Sequence, residues 1–335
     1  MGDLERGRLF LVAPKGHRYQ LPATGRIPSG AGSLEALASP NEALRYLGYR
    51  ALQAMPGEKA RQLLADRLAD RAQPAHQRAR AFWAAASLSP NPAEWIRRTI
   101  TDQDPLLRGA AIRACRVLDR EGDYDTMLAG CAGDSDPQVR AAAAIALRFA
   151  DRSASDEAWA AIAQTYRGKD RWFLEALGIG AELRWPSRFA AYLKATGDKP
   201  HADLVWRARC AEALPFLEKL IVAAPDSERD RFMRALHFHP KSPALQQLAL
   251  GLFRNGSPQL ATMVALEMLD PAAIESADEG KRLEELTLAR RESPDLVALA
   301  TRYNQQSEKV LAALLEFIVA HRNDNDGANA ARHLL

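Results

Sequence analysis

Cysteine is scarce in this sequence, and the three residues present, Cys115, Cys131 and Cys210, form no C-x-x-C pair. So sparse and odd a set excludes a disulfide framework. Nowhere does an apolar run approach the roughly 18 residues that a membrane-crossing helix needs. The first residues, Met1-Gly2-Asp3-Leu4-Glu5-Arg6, lack the basic-then-apolar order of a secretory signal. Aromatic residues make up only 7% of the chain, and the six tryptophans fall mostly within helical patterns, where packing is their default use. Equally absent are a glycine-rich phosphate loop, G-x-S-x-G, H-E-x-x-H and the haem-attachment signature C-x-x-C-H. No complete catalytic, metal or cofactor motif therefore stands in these 335 residues, and the expectation is a chain without enzymatic activity of its own.

The histidines do not change that expectation. Of seven, only His237 and His239 lie close together, and no third or fourth ligand stands at metal-binding spacing beside them. Asn323-Asp324-Asn325-Asp326-Gly327 is too poor in carboxylates for a calcium loop, since its first and last positions would be Arg322 and His333.

What the sequence does have is charge and periodicity. Charged residues make up 26% and apolar residues 47%, a balance typical of folded proteins. Residues 1–120 hold 19 Lys and Arg against 11 Asp and Glu, whereas the remainder holds 26 against 31. A basic first third fits either an acidic partner, nucleic acid included, or an arginine-rich solvated face.

The periodicity is a repeat. Asp104-Pro105-Leu106-Leu107-Arg108 and Asp136-Pro137-Gln138-Val139-Arg140 lie 32 residues apart, and each opens an alanine-rich stretch. Carrying the arginine along the chain picks out Arg45, Arg78, Arg108, Arg140, Arg171 and Arg207, at intervals of 30 to 36 residues. Three residues after each come Gly48, Ala81, Ala111, Ala143, Leu174 and Cys210. Asp before Pro starts a helix: the carboxylate caps free N–H groups, and proline fits a turn where its missing N–H costs nothing. Small residues three apart let a neighbouring helix come close. Two helices per 30–36 residues make a unit that buries its core only against its neighbours. The fold class expected is all-α, a HEAT-like α-solenoid. Its Asp and Arg residues (Arg45, Arg78, Asp104, Arg108, Asp136, Arg140, Asp203, Arg207) are expected to form a structural ladder of charges across the turns.

Three segments follow. Residues 1–32 combine a short β-like run, Arg8-Leu9-Phe10-Leu11-Val12-Ala13, with a linker rich in Pro and Gly. Residues 33–220 carry the regular repeats. Residues 221–335 continue as degenerate repeats, with helices expected near 227–237, 243–253, 258–269, 280–291 and 307–321. In mid-array, Lys169, Asp170, Arg171, Trp172 and Glu175 bring charge and aromatics together and form the candidate interaction surface, with an ordinary charge cluster between repeats as the other reading.

Several segments are similar to one known family. Gly7-Arg8-Leu9-Phe10-Leu11-Val12-Ala13-Pro14-Lys15-Gly16, then Ser39-Pro40-Asn41 with Arg45-Tyr46-Leu47, then Lys169 through Gly180, Asp203-Leu204-Val205-Trp206-Arg207 and Phe232 to His239 carry the likeness, in order. Together they resemble the HEAT-repeat region of the large haem-binding C-x-x-C-H dehydrogenase-like proteins typical of planctomycetes. In that family a sorbosone- and glucose-dehydrogenase-like β-propeller precedes the helical repeats and a c-type cytochrome module follows them. The resemblance implies a non-catalytic spacer with protein partners, namely the flanking domains, in an exported, periplasmic-type setting. Its β-like run would be the last piece of the propeller. Haem c is implied for the parent protein only, and no catalytic or haem-ligating position of the family has a match here. Two other readings remain: a HEAT-like DNA glycosylase, motivated by the basic first third with Trp83 and Trp95, and a free-standing cytoplasmic protein-binding scaffold.

Overall fold

The computed structural model describes Lys15, Gly16 and residues 29–118, 124–323 and 325–334. The β-like run at 8–13 and most of the linker lie outside the described residues. Among those described, the chain is helical throughout, with 20 α-helices and no strand. It divides into two compact units, the first running to Gly122 and the second starting at Asp123.

The first unit holds six helices: α1 (Gly32–Ala38), α2 (Glu42–Gln53), α3 (Gly57–Ala69), α4 (Ala75–Leu88), α5 (Pro92–Thr99) and α6 (Pro105–Leu118). They pair as hairpins, α1 with α2, α3 with α4 and α5 with α6, and α4 packs on α1, α5 and α6. The second unit holds fourteen. They are α7 (Asp125–Gly130), α8 (Pro137–Ala146), α9 (Ser153–Ala163), α10 (Arg171–Ala181), α11 (Trp185–Thr196), α12 (Ala202–Arg207) and α13 (Leu214–Ala223). After them come α14 (Asp226–Leu236), α15 (Pro243–Asn255), α16 (Pro258–Glu267), α17 (Ala277–Leu288), α18 (Asp295–Arg302), α19 (Glu308–Ala320) and α20 (Asn325–Leu334). Odd helices stack on odd (α7 on α9, α9 on α11, α13 on α15, α17 on α19) and even on even (α8 on α10, α10 on α12, α16 on α18, α18 on α20). Two layers of stacked hairpins are the HEAT-like α-solenoid arrangement that the repeat implies. Helices α18 and α20 fall where the sequence pattern predicts none. At eight residues α18 spans barely two turns, too short for a periodicity to show, and tertiary packing of Leu296, Val297, Leu299 and Ala300 secures it.

Close approach depends on small residues. On α6, Ala110, Ala111 and Ala114 are buried, and on α8 Ala143, Ala144 and Ala146 are. Gly180 of α10 sits so near α8 that a β-carbon there would lie 2.4 Å from the Ala144 carbonyl oxygen. Fully buried Trp159 braces the same contact, donating its indole N–H to the Leu177 carbonyl at 3.1 Å.

Arginine closes the hairpins. A helix leaves its last carbonyls without partners, and guanidinium supplies up to five donors where the dipole favours a cation. Arg45, Arg78, Arg108, Arg140 and Arg229 each stand four residues past the position that precedes their even helix. From there Arg45 donates to the Ser39 and Pro40 carbonyls, Arg78 to Leu68, and Arg108 to Asp102 and Gln103. Arg140 reaches Asp134 and Ser135, and Arg229 reaches Ile221 and Ala224. Thus the recurring arginine mainly ties the turn or helix end before it, and a cross-hairpin carboxylate joins in at Arg78, which meets Asp102 at 2.7 Å. Asp104 and Asp136 act as caps, accepting from Leu106 N–H and from the Gln138 and Val139 N–H groups.

Arg188 carries the device into the interior. Fully buried on α11, it donates to the Leu147 and Ala150 carbonyls, with its Nε 3.4 Å from Asp156. Burial pulls its guanidinium down to about 10, with Asp156 opposing that shift. Arg184 binds the same Asp156 carboxylate through two bonds, at 3.0 and 2.7 Å. Replacing Arg188→Met leaves the Leu147 and Ala150 carbonyls without their buried donor and takes one of two cations from Asp156, so urea unfolding is expected to show a stability loss of about 3 kcal/mol. A change below about 0.5 kcal/mol, the range of ordinary surface substitutions, contradicts this role.

Candidate interaction surface

The expected surface residues lie at the start of α10. Gly168 and Lys169 both take left-handed backbone conformations, with φ of 76° and 69°. For glycine that costs little, whereas for lysine it is uncommon, and it turns the chain sharply into α10. Asp170 then caps the helix, accepting from Phe173 N–H at 3.0 Å. Lys169, Arg171 and Trp172 are left facing solvent, and Trp172 is 77% exposed, the most exposed of the large apolar side chains described. The next residue, Phe173, is buried beneath the Arg140 guanidinium, 5.5 Å from its ring centre.

Glu175, half-buried one turn on, receives Arg207 from α12 at 3.3 Å. Gly178 makes room for that reach, since a β-carbon there would come within 2.5 Å of the guanidinium. The fold therefore joins Glu175 of the candidate surface to Arg207 of the repeat series. Arg171 stands at the first position of α10 and is exposed, whereas Arg207 ends α12. Neither occupies the position used by Arg45, Arg78, Arg108 and Arg140, because the repeat length changes there and the spacing slips.

Beside this edge lies a polar network that periodicity does not reveal. Tyr166 donates its hydroxyl to Asp203 Oδ2 at 2.9 Å, and Arg231 of α14 holds Oδ1 at 2.5 Å. His201, capping α12, accepts the Asp203 N–H on Nδ1, and its ring meets Tyr166 edge-on at 5.0 Å. Arg231 lies over the Trp206 ring at 4.8 Å, and the Trp206 indole donates to the Arg231 carbonyl. Asp203, expected in the ladder, is in fact the hub of this cluster, while Tyr166, His201 and Arg231 are its missed members. Their one signal in the sequence is separation: 37 residues from Tyr166 to Asp203 and 28 from Asp203 to Arg231, about one hairpin each way.

Electrostatics make the network a fixture. Burial pushes the Tyr166 phenol up to about 12, and the bond to Asp203 reinforces it. Burial opposes ionisation of Asp203, but the bonds from Arg231 and Tyr166 together outweigh it and hold the carboxyl below its ordinary range. A phenol kept protonated beside a carboxylate kept charged fixes orientation and does not exchange protons near neutrality. The arrangement suits recognition through stacking and charge, with Trp172 as a free anchor.

Elsewhere, His237 meets Glu267 at 3.0 Å, and His239 is buried, its imidazole pulled down to about 4 by burial and then by Arg209. Among the described residues no group of three His, Cys, Asp or Glu could hold a metal ion. In the first unit a cleft of about 620 Å³ has Leu52, Leu64 and buried Trp95 in its floor, and Arg61 and Glu94 pair at its mouth at 2.9 Å.

Tyr166 titrates above its unfolded value, so the stability it contributes is complete below about pH 10 and is lost as pH rises toward 12. Asp203→Asn removes the acceptor charge and should bring the folded-state titration of Tyr166 down toward 10. Ultraviolet difference titration measures this, and an unmoved phenol contradicts the coupling.

No family model matches the sequence, and no curated protein does. Among solved structures the chain is similar to human deoxyhypusine hydroxylase in complex with glycerol. That likeness covers 86% of this chain and 98% of that one at 22% identity, with a TM-score of 0.28. At that score the two do not superpose as whole chains, and the solenoid fold rests on the helix pairs of this chain.

Proposed function

We propose that this chain is a helical-repeat interaction module that binds protein through the α10 edge, without catalysis or a cofactor of its own. The carrying observation is Trp172. A large aromatic at 77% exposure, between exposed Lys169 and Arg171 and beside a rigid network, has no packing role that explains it. Aromatic anchors ringed by charge dominate the energetics of protein interfaces. Buried Phe173, the residue after Trp172, packs with its ring centre 6.0 Å from that of Tyr166 in the polar network, which anchors the start of α10.

The family resemblance supplies the partners. In this reading the chain spaces and docks a dehydrogenase-like propeller and a c-type haem domain of a parent protein, in an exported compartment. Haem belongs to the neighbour. No described helix is long and apolar enough to cross a membrane.

Calorimetry of the purified chain against separately expressed propeller and haem domains tests the proposal. The expected result is binding to at least one, weakened about tenfold or more by Trp172→Ala. Lack of binding to both rejects the linking role. Binding that ignores the substitution rejects the site.

A further inference from the structure

The odd helix α19 is apolar on two sides. Its inner side, Val310, Ala313, Leu314 and Phe317, is buried against Leu296, Val297, Ala300 and Ala330. Along its outer side run half-buried Leu311, Leu315 at 55% and Val319 at 70% exposure, whereas Ile318 packs on the inner cluster. The three recur at four-residue steps, the spacing of one helix stripe. Helix α17 packs on one flank of α19, and α20 pairs with it, yet among the described residues nothing covers the outer stripe.

The charges at the ends of the stripe say what fits it. Glu308 opens α19, Arg322 lies just past its end, both are exposed, and Leu315 stands midway, seven residues from each. The stripe is therefore antisymmetric in sequence about Leu315, acidic in its first turn and basic just past its last. An identical helix laid antiparallel across it is complementary at every step. Leu315 meets its own copy, Leu311 faces Val319, and Glu308 faces Arg322 twice. A two-fold contact needs such a self-complementary patch. Lys309, the other cation near the acidic end, is already within 3.5 Å of Glu284. The other exposed carboxylate on the helix, Glu316, lies beside the seam, off the axis of the pair.

We infer that the outer stripe of α19 is a self-association surface, on which a second copy of this chain docks antiparallel through Leu315, Val319 and two Glu308–Arg322 pairs. One helix seam of this length is small among specific interfaces, so the dimer forms in the micromolar range. This interface is independent of the Trp172 edge.

Sedimentation velocity of the full chain across a concentration series tests it, with circular dichroism to confirm that each variant is folded. Leu315→Glu should leave a monomer. Glu308→Arg alone and Arg322→Glu alone each turn both end pairs repulsive and should weaken dimerisation about tenfold or more. Combining them in one chain swaps the charges on both copies and should restore wild-type association. The inference is overturned if the wild type is monomeric throughout the micromolar range, or if the double variant stays as weak as the singles. The first outcome points to a different protein as the occupant, the second to self-association without the Glu308–Arg322 pairs.

Discussion

Short helices end often, and each end leaves carbonyls that must find donors. That constraint governs this protein more than any other. Its longest described helix has 14 residues, so termini are crowded into every turn of the stack. Arginine meets the demand because a planar guanidinium bonds several carbonyls at once and remains charged at any physiological pH. Besides the five hairpin arginines, Arg80 reaches back to Ala38 and Ser39, Arg282 to Phe253 and Gly256, and Arg302 to Leu269. An arginine-rich composition thus reads first as internal chemistry. Within the basic first third, Arg45, Arg78, Arg80 and Arg108 bond backbone carbonyls of their own chain.

Packing and polar satisfaction are coupled through this device. Helices can approach as closely as Gly180 and Ala144 require only where no side chain intervenes, and such contacts leave carbonyls sealed from water. Trp159 and Arg188 supply the donors there, one an indole and the other a cation. Two buried carboxylates of the second unit find cations: Asp156 is shared by Arg184 and Arg188, and Asp125 is bound by Arg152 and Ser155.

The α10 edge follows the same logic one layer outward. Asp203 collects a hydroxyl, a guanidinium and a capping histidine from three successive hairpins, and this stiffens the rim on which Trp172 stands. What distinguishes that rim is a surplus: after all the bonds are made, an aromatic ring and two cations remain unspent.

Repetition made the fold readable from the amino acids alone. The Asp-Pro starts at 104 and 136, the mostly small residues three past each arginine, and the apolar steps between them specify helices and their pairing, because helix capping and period are local properties. Lys169, Arg171 and Trp172 were legible as charge set beside aromatics in mid-array, which is also a local property. The partners of the arginines were not. Whether Arg45 bonds a carbonyl or a carboxylate depends on how the turn before its helix folds, and which residues meet at Asp203 depends on contacts about one hairpin apart, where the repeat length varies by several residues and the spacing slips. Local chemistry is written along the chain, but contacts between successive hairpins arise only when the helices stack, and there the tertiary structure alone decided them.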